Sequence, residues 1–249
     1  MVTSKTSKYL GDLIQVAVLV TVLFGIPYII PSKTENKSFN PTQITTPPFE
    51  NSNSYTNSKI INTDTQIVIY NTHMFEEYAY RGNVTNISEK LSESLQATGF
   101  NASVINYEHP SPTYAESYSR MRKLIEENIK DYKNSILLDI HRSADNQNKN
   151  DALYVKSTGN EGYKEDILFV IGTGNEGYKE NLNLAKALVE NINGNSSITA
   201  GIIEYKFSKF NQDLSNKALL IEIGDSSTSE ENLNKCVSAI VNAFKVISN

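Results

Sequence analysis

The chain has 249 residues, enough for one sizeable core, and carries a formal charge of −5 from 23 Lys and Arg against 28 Asp and Glu. That balance excludes the broad basic surface with which proteins hold nucleic acid. A single cysteine, Cys236, excludes an internal disulfide and any zinc site built on several thiolates, so a transition metal would have to be held by carboxylates and by His73, His109 or His141, the three histidines present.

Residues 13–30 (LIQVAVLVTVLFGIPYII) form a run of 18 residues without a charge. At 1.5 Å per residue such a helix spans roughly 27 Å, near the thickness of a bilayer's hydrocarbon core. Lys5 and Lys8 precede it, so the positive-inside tendency predicts residues 1–12 in the cytoplasm, a transmembrane anchor over 13–30 and everything beyond on the outer side of the membrane. A cleaved signal peptide is the competing reading. It is disfavoured because the small-x-small cleavage pattern is missing from IPYIIPSKTEN. Residues 31–64 are dominated by Ser, Thr, Asn and Pro, and such a composition buries too little surface to offset its ordering entropy, which predicts a flexible linker. The globular domain is therefore expected over 65–249.

Within it, short apolar runs at 66–70 (QIVIY), 102–106, 135–140 (SILLDI), 167–172 (ILFVIG), 201–205 and 218–223 (ALLIEI) read as strands. Helical periodicity covers 84–98, 115–131, 179–192 and 230–247, the last with Ser229 as a candidate N-cap and Leu233, Val237, Ile240, Val241 and Phe244 at helical spacing. Interleaved strands and helices predict a single three-layer α/β domain with a mostly parallel sheet, in which ligands collect beyond the carboxyl ends of the strands. The octapeptide TGNEGYKE occurs at 158–165 and again at 173–180. Two copies are too few for a solenoid, so the repeat reads as a local duplication that adds a loop before the strand at 167–172.

Three strand ends carry the chemistry. His73 lies just past the first strand, His141 follows the third, and Glu222 sits inside the otherwise apolar ALLIEIG, where a carboxylate is costly unless paired, metal-bound or used in proton transfer. Two imidazoles and a carboxylate suit zinc, with Glu76 or Glu77 close enough to His73 to complete a three-ligand set and Asp139 placed to orient His141. The bland alternative is a set of capping or hydrogen-bonded histidines with an exposed or salt-bridged glutamate.

Several stretches resemble, in order, the motifs of the stage II sporulation protein P family. IVIYNTHMFEEYAY resembles its strand leading into His-Thr-His with a following Glu, and LLDIHRS resembles its Asp-Ile-His-Arg-Asp motif. ILFVIGTGNEGYKENLNLAKAL and FNQDLSNKALLIEIGDSSTSEEN are similar to its Gly-Thr-Gly-Asn and Leu-Leu-Ile-Glu-Val-Gly stretches. The resemblance implies a membrane-anchored, zinc-dependent peptidoglycan hydrolase whose fold is that of the N-acetylmuramoyl-L-alanine amidases. It would cut the amide between N-acetylmuramic acid and the stem peptide, with an endopeptidase activity on cross-links also ascribed to the family. The resemblance further implies action in forespore engulfment, at the membranes between mother cell and forespore, with stage II sporulation proteins D and M as partners.

By position, the resemblance makes His73, Glu76 and His141 the zinc ligands and Glu222 the general acid/base, with Glu77 or Glu89 as substitutes for Glu76. YEHPSPTYAESYSRM, similar to the family's His-Asp segment and Tyr-x-x-Ser-Tyr run, suggests substrate contacts at His109, Tyr114, Ser117 and Tyr118, and Arg142 is placed to orient a stem-peptide carboxylate. The chain departs from the family pattern at Asn71 (family His), Ser143 (family Asp) and Asp225 (family Gly). Two rivals follow: a weakened wall-binding or scaffold protein of the same fold, and an anchored metallopeptidase that cuts protein.

Overall fold

A computed structural model describes residues 61–107, 114–144, 154–155 and 165–248, with the backbone alone for Tyr114, Ala115, Tyr154 and Val155. Among the described residues no helix is long and apolar enough to cross a membrane. The expected anchor at 13–30, most of the linker, His109 and the first octapeptide copy up to Lys164 lie outside them.

The order of elements is β1 (Ile67–Tyr70), α1 (Val84–Ala97), β2 (Ala102–Ile105), α2 (Tyr114–Asn128), β3 (Ile136–Ser143), β4 (Tyr154–Val155), β5 (Ile167–Gly172), α3 (Tyr178–Asn195), β6 (Ala200–Tyr205), a 3-10 turn (Gln212–Leu214), β7 (Ala218–Asp225) and α4 (Glu230–Ser248). The strands form one sheet in the order β2-β1-β3-β7-β5-β6-β4. Four pairings are parallel, β1 with β2, β1 with β3, β3 with β7 and β5 with β6. β5 runs antiparallel to β7, and the two-residue β4 runs antiparallel to β6.

Apolar periodicity explains the layers. α1 starts at Asn83, whose side chain accepts from the N–H groups of Thr85 and Asn86 while the Asn86 side chain accepts from the Asn83 N–H, a reciprocal cap. It buries Ile87, Leu91 and Leu95 along one stripe. With α3 and α4 it covers the sheet face formed by Ile67, Ile69, Leu138, Ile140, Phe169, Ile221 and Ile223. Cys236 lies in this core, where burial pushes its thiol up to about 12, a packing residue without nucleophilic character. On the opposite face α2 packs Met121 and Ile125 over Val68, Tyr70, Leu137 and Ala218. Beyond α2 that face continues as Leu168, Val170, Ile203 and Leu220, flanked by Tyr205 and Phe210.

Two differences from the sequence reading affect the site. β3 continues past Ile140 to Ser143 and β7 past Ile223 to Asp225, because the ladder between them persists through a bulge after the apolar run has ended. And β1, β3 and β7 are neighbours in the middle of the sheet, with β5 and β6 running the opposite way. His73, His141 and Glu222 meet, as expected, near the carboxyl ends of three adjacent strands, on one face of the sheet.

Candidate functional site

Strand alternation places the key side chains. Leu137, Asp139 and His141 share the face that α2 covers, as do Ala218, Leu220 and Glu222, and in the β3–β7 register His141 stands opposite Glu222. His73 reaches the same place from just beyond β1, its ring edge-on to that of His141 with centroids 4.9 Å apart.

The loop from His73 to Asn83 is pinned by the backbone. Val84 N–H donates to the Glu76 carbonyl at 3.0 Å, Ala79 N–H to Ser226 at 2.7 Å, and the Tyr78 hydroxyl to the Ile223 carbonyl at 2.8 Å. So held, Glu76 places Oε1 at 3.4 Å from His73 Nδ1 and 3.3 Å from His141 Nδ1, while Oε2 accepts from the Arg142 N–H at 2.8 Å. Ligand atoms of His73, Glu76 and His141 all lie within 4.8 Å of one another. Glu77 and Glu89 are exposed and stand outside this cluster.

Behind His141 lies a second carboxylate. Asp139 Oδ1 is 3.0 Å from His141 Nε2, and Asp139 is held by the Thr72 N–H at 2.9 Å and the Thr72 hydroxyl at 2.6 Å. The electrostatics follow. Burial acts to raise the Glu76 carboxyl, but hydrogen bonds from His141 and His73, the His141 charge and the Arg142 N–H prevail and hold it down at about 2. Burial acts to lower the His141 imidazole, yet Asp139 and Glu76 together raise it to about 10. This pair of carboxylates thus holds a proton on the ring, with Nδ1 toward Glu76 and Nε2 toward Asp139.

The cluster opens into a cavity of about 420 Å³ whose lining combines His73, Glu76, His141, Arg142 and Glu222 with Tyr118, Tyr205 and Phe210. Ser143 Oγ donates to Glu222 Oε2 at 3.0 Å. Tyr118 stands edge-on to His73 with ring centroids 5.6 Å apart. Burial, with Asp139, Glu76 and Glu222 nearby, keeps its phenol well above the usual range, so it remains a hydrogen-bond donor at neutral pH.

The remaining expected residues are placed as follows. Ser117 is buried in α2 away from the cavity lining, and its carbonyl accepts from the Tyr107 hydroxyl. Arg142 lines the cavity and also donates to the Ser143 carbonyl at 3.0 Å. His109 lies outside the described residues, as does the Tyr114 side chain. The three departures from the family pattern all have structural partners. Asn71 turns to the core and donates to the Ile140 carbonyl at 2.7 Å. Ser143 binds Glu222, and Asp225 accepts from the Ser227 N–H at 2.9 Å in the turn before α4.

Sequence reasoning missed Thr72, Tyr205 and Phe210. A threonine after a strand carries no signal of its own. An aromatic at a strand end reads as packing until the opposing face is known.

A mostly parallel α/β domain with two histidines and a glutamate converging beside a further carboxylate has the makings of a metal-assisted hydrolase. Residues 29–245 match the family Stage II sporulation protein P (SpoIIP), and the chain belongs to that family. With membership comes the family's role, peptidoglycan hydrolysis in sporulation. No curated protein matches.

Among solved structures, the N-acetylmuramyl-L-alanine amidase Ami1 from Mycobacterium smegmatis aligns at 10% identity and TM-score 0.48, covering 76% of this chain and 99% of its own. Ami1 from Mycobacterium abscessus aligns at 10% identity and TM-score 0.49, covering 76% and 100%. The CwlD amidase from Clostridioides difficile, solved with the GerS lipoprotein, aligns at 17% identity and TM-score 0.46, covering 74% and 98%. At these values the likeness is one of general topology.

Proposed function

We propose that the chain is a zinc-dependent N-acetylmuramoyl-L-alanine amidase, anchored by residues 13–30 with its catalytic domain outside the cytoplasm, where engulfment of the forespore requires wall to be cut. The observation that carries this reading is the convergence of His73, Glu76 and His141 within 4.8 Å beside Glu222 in one cavity. Two imidazoles and a carboxylate are the donor set of a catalytic zinc with an open position, and the backing of His141 Nε2 by Asp139 is the arrangement that keeps Nδ1 free for a metal. A zinc ion held there would supply Lewis-acid polarisation of the scissile carbonyl and an acidified water.

The chain's own residues do the rest. Glu222, on the same sheet face as His141, takes the proton of the attacking water at a carboxylate oxygen and returns it to the leaving nitrogen of the stem peptide. Ser143 Oγ fixes one of its oxygens. Tyr118, protonated at neutral pH, offers a donor to a substrate oxygen, and Arg142 offers a cation to a stem-peptide carboxylate. Asn71, Ser143 and Asp225 each have a defined partner and the cluster forms with all three in place, which supports the enzyme reading over the scaffold.

The test is digestion of purified peptidoglycan by the zinc-loaded chain with mass spectrometry of the fragments. Release of stem peptides with a free N-terminal alanine supports the amidase, cleavage within cross-links assigns an endopeptidase, and intact wall with retained binding sinks the reading in favour of a scaffold.

A further inference from the structure

The cavity's second wall is built with more care than packing requires. Three non-glycine residues within five positions, Phe207, Phe210 and Asn211, have positive φ of 65°, 51° and 58°. For the two phenylalanines such backbone is unfavourable and persists only where the surroundings impose it, whereas asparagine adopts it more readily. A network of hydrogen bonds imposes it. Gln212 accepts from the Gly172 N–H at 2.9 Å and donates to the Val170 carbonyl at 2.7 Å. Asn211 donates to the Tyr118 carbonyl at 2.8 Å, Asn181 donates to the Gln212 carbonyl at 3.0 Å, and Asp213 pairs with Arg122. Gly172 and Gly174 admit the segment closely: a Cβ on either would stand 2.5 Å from the carbonyl oxygen of Ser208 or Phe207.

What the segment presents is Phe210. Its ring lies 6.0 Å from Tyr118 and 5.9 Å from Tyr205, and all three border the cavity that holds His73 and His141. Along the sheet the lining changes: His73, His141 and Arg142 come from the end of β1 and from β3, whereas Val170, Tyr205 and Phe210 come from β5, β6 and the segment after it. An anionic peptide stem gains nothing against such a wall and would lose hydration. A pyranose ring is suited to it: its axial C–H bonds form an apolar face that rests on the electron-rich face of an arene, and its rim hydroxyls remain hydrated.

We propose that Phe210, with Tyr205, is the platform on which a hexopyranose ring of the glycan strand stacks, so that the aromatic wall sets the register of the glycan and the peptide leaves toward Arg142. The proposal rests on the amidase reading for its substrate but can fail separately from it. The experiment is calorimetric titration of the full chain with the tetramer of N-acetylglucosamine, which carries no peptide, alongside the Phe210→Leu and Tyr205→Leu variants.

Wild type is expected to bind the tetramer, and each variant to bind it about 2- to 13-fold more weakly, the range that an aromatic contact contributes beyond its buried area. Either leucine keeps an apolar side chain in place, and circular dichroism verifies the fold; if one variant does not fold, the other decides. Tetramer binding lost in the variants while wild-type chain leaves peptidoglycan intact would retain the sugar platform and remove the amidase. Failure of wild type to bind the tetramer, or equal binding by wild type and a folded variant, overturns the proposal even where peptidoglycan is cut.

Discussion

Asp139 Oδ1 lies 3.0 Å from His141 Nε2, two residues along the same strand and on the same face of the sheet. That spacing is a consequence of β geometry, which returns every second side chain to one face. It leaves the opposite ring nitrogen, Nδ1, pointing at Glu76. Thr72 holds Asp139 through both its N–H and its hydroxyl, so the strand end after β1 and the strand β3 fix one imidazole together. Replacing Asp139 by Asn keeps the shape and removes the charge. Zinc affinity of the variant, read by competition with a chromophoric chelator, should fall about 10- to 100-fold, and Thr72→Ala should lower it in the same direction by less.

Glu222→Gln separates holding the metal from moving the proton. The side chain faces the same cavity as the cluster, yet the three ligand candidates do not include it. Metal content should be unchanged while hydrolysis of peptidoglycan falls by about 10²- to 10⁴-fold, the range general acid–base catalysis contributes. A variant that retains most of its rate would remove Glu222 from the mechanism.

The charges at the cluster set the pH dependence of the metal-free protein. His141 has its pKa raised to about 10, so its contribution to stability is complete below its unfolded value of about 6.5 and is lost as pH climbs toward 10. Glu76 is lowered to about 2, so its contribution is complete above about 4.5 and is lost as pH falls toward 2. The urea midpoint of the metal-free chain should decline between pH 7 and 10 and again below pH 4.5. His141→Gln should remove the alkaline decline. Metal affinity should move the other way, rising with pH, because a cation must displace the His141 proton.

Gly172→Ala tests the construction of the aromatic wall. Its Cβ would meet the Ser208 carbonyl at 2.5 Å, a backbone contact that cannot swing aside. Overpacking of this kind costs about 1–3 kcal/mol. A lowered thermal midpoint is expected. An unchanged midpoint would mean that the 207–211 segment yields freely and is not held in place.

Much of this was legible in the order of residues because charged groups stood where apolar ones belong. Asp139 and His141 at the end of SILLDI, and Glu222 inside ALLIEI, break the pattern of doubly covered strands: His141 and Glu222 line the cavity, and Asp139 is buried behind His141, held by Thr72. The same polarity hid the ends of β3 and β7, since an apolar run stops at Ile140 while the hydrogen-bonded ladder continues to Ser143. The direction of β5 and β6 could not be read locally: ILFVIG is equally apolar whichever way it runs, and its antiparallel pairing with β7 is decided by how α3 and the later strands pack. β4, at two residues, carries no periodicity. Asn71 shows the limit of reading by position. Two residues before His73, it is buried and donates to the Ile140 carbonyl, and it is not among the clustered ligand candidates.

Every catalytic role proposed for this cavity depends on His73, Glu76 and His141 holding a zinc ion. Metal analysis of the full chain purified without chelator, wild type beside His141→Ala, tests it most directly. One zinc per wild-type chain and none in the variant are expected, with both folded by circular dichroism. A wild-type chain that takes up no zinc at micromolar supply, or a variant that retains its zinc, would contradict it.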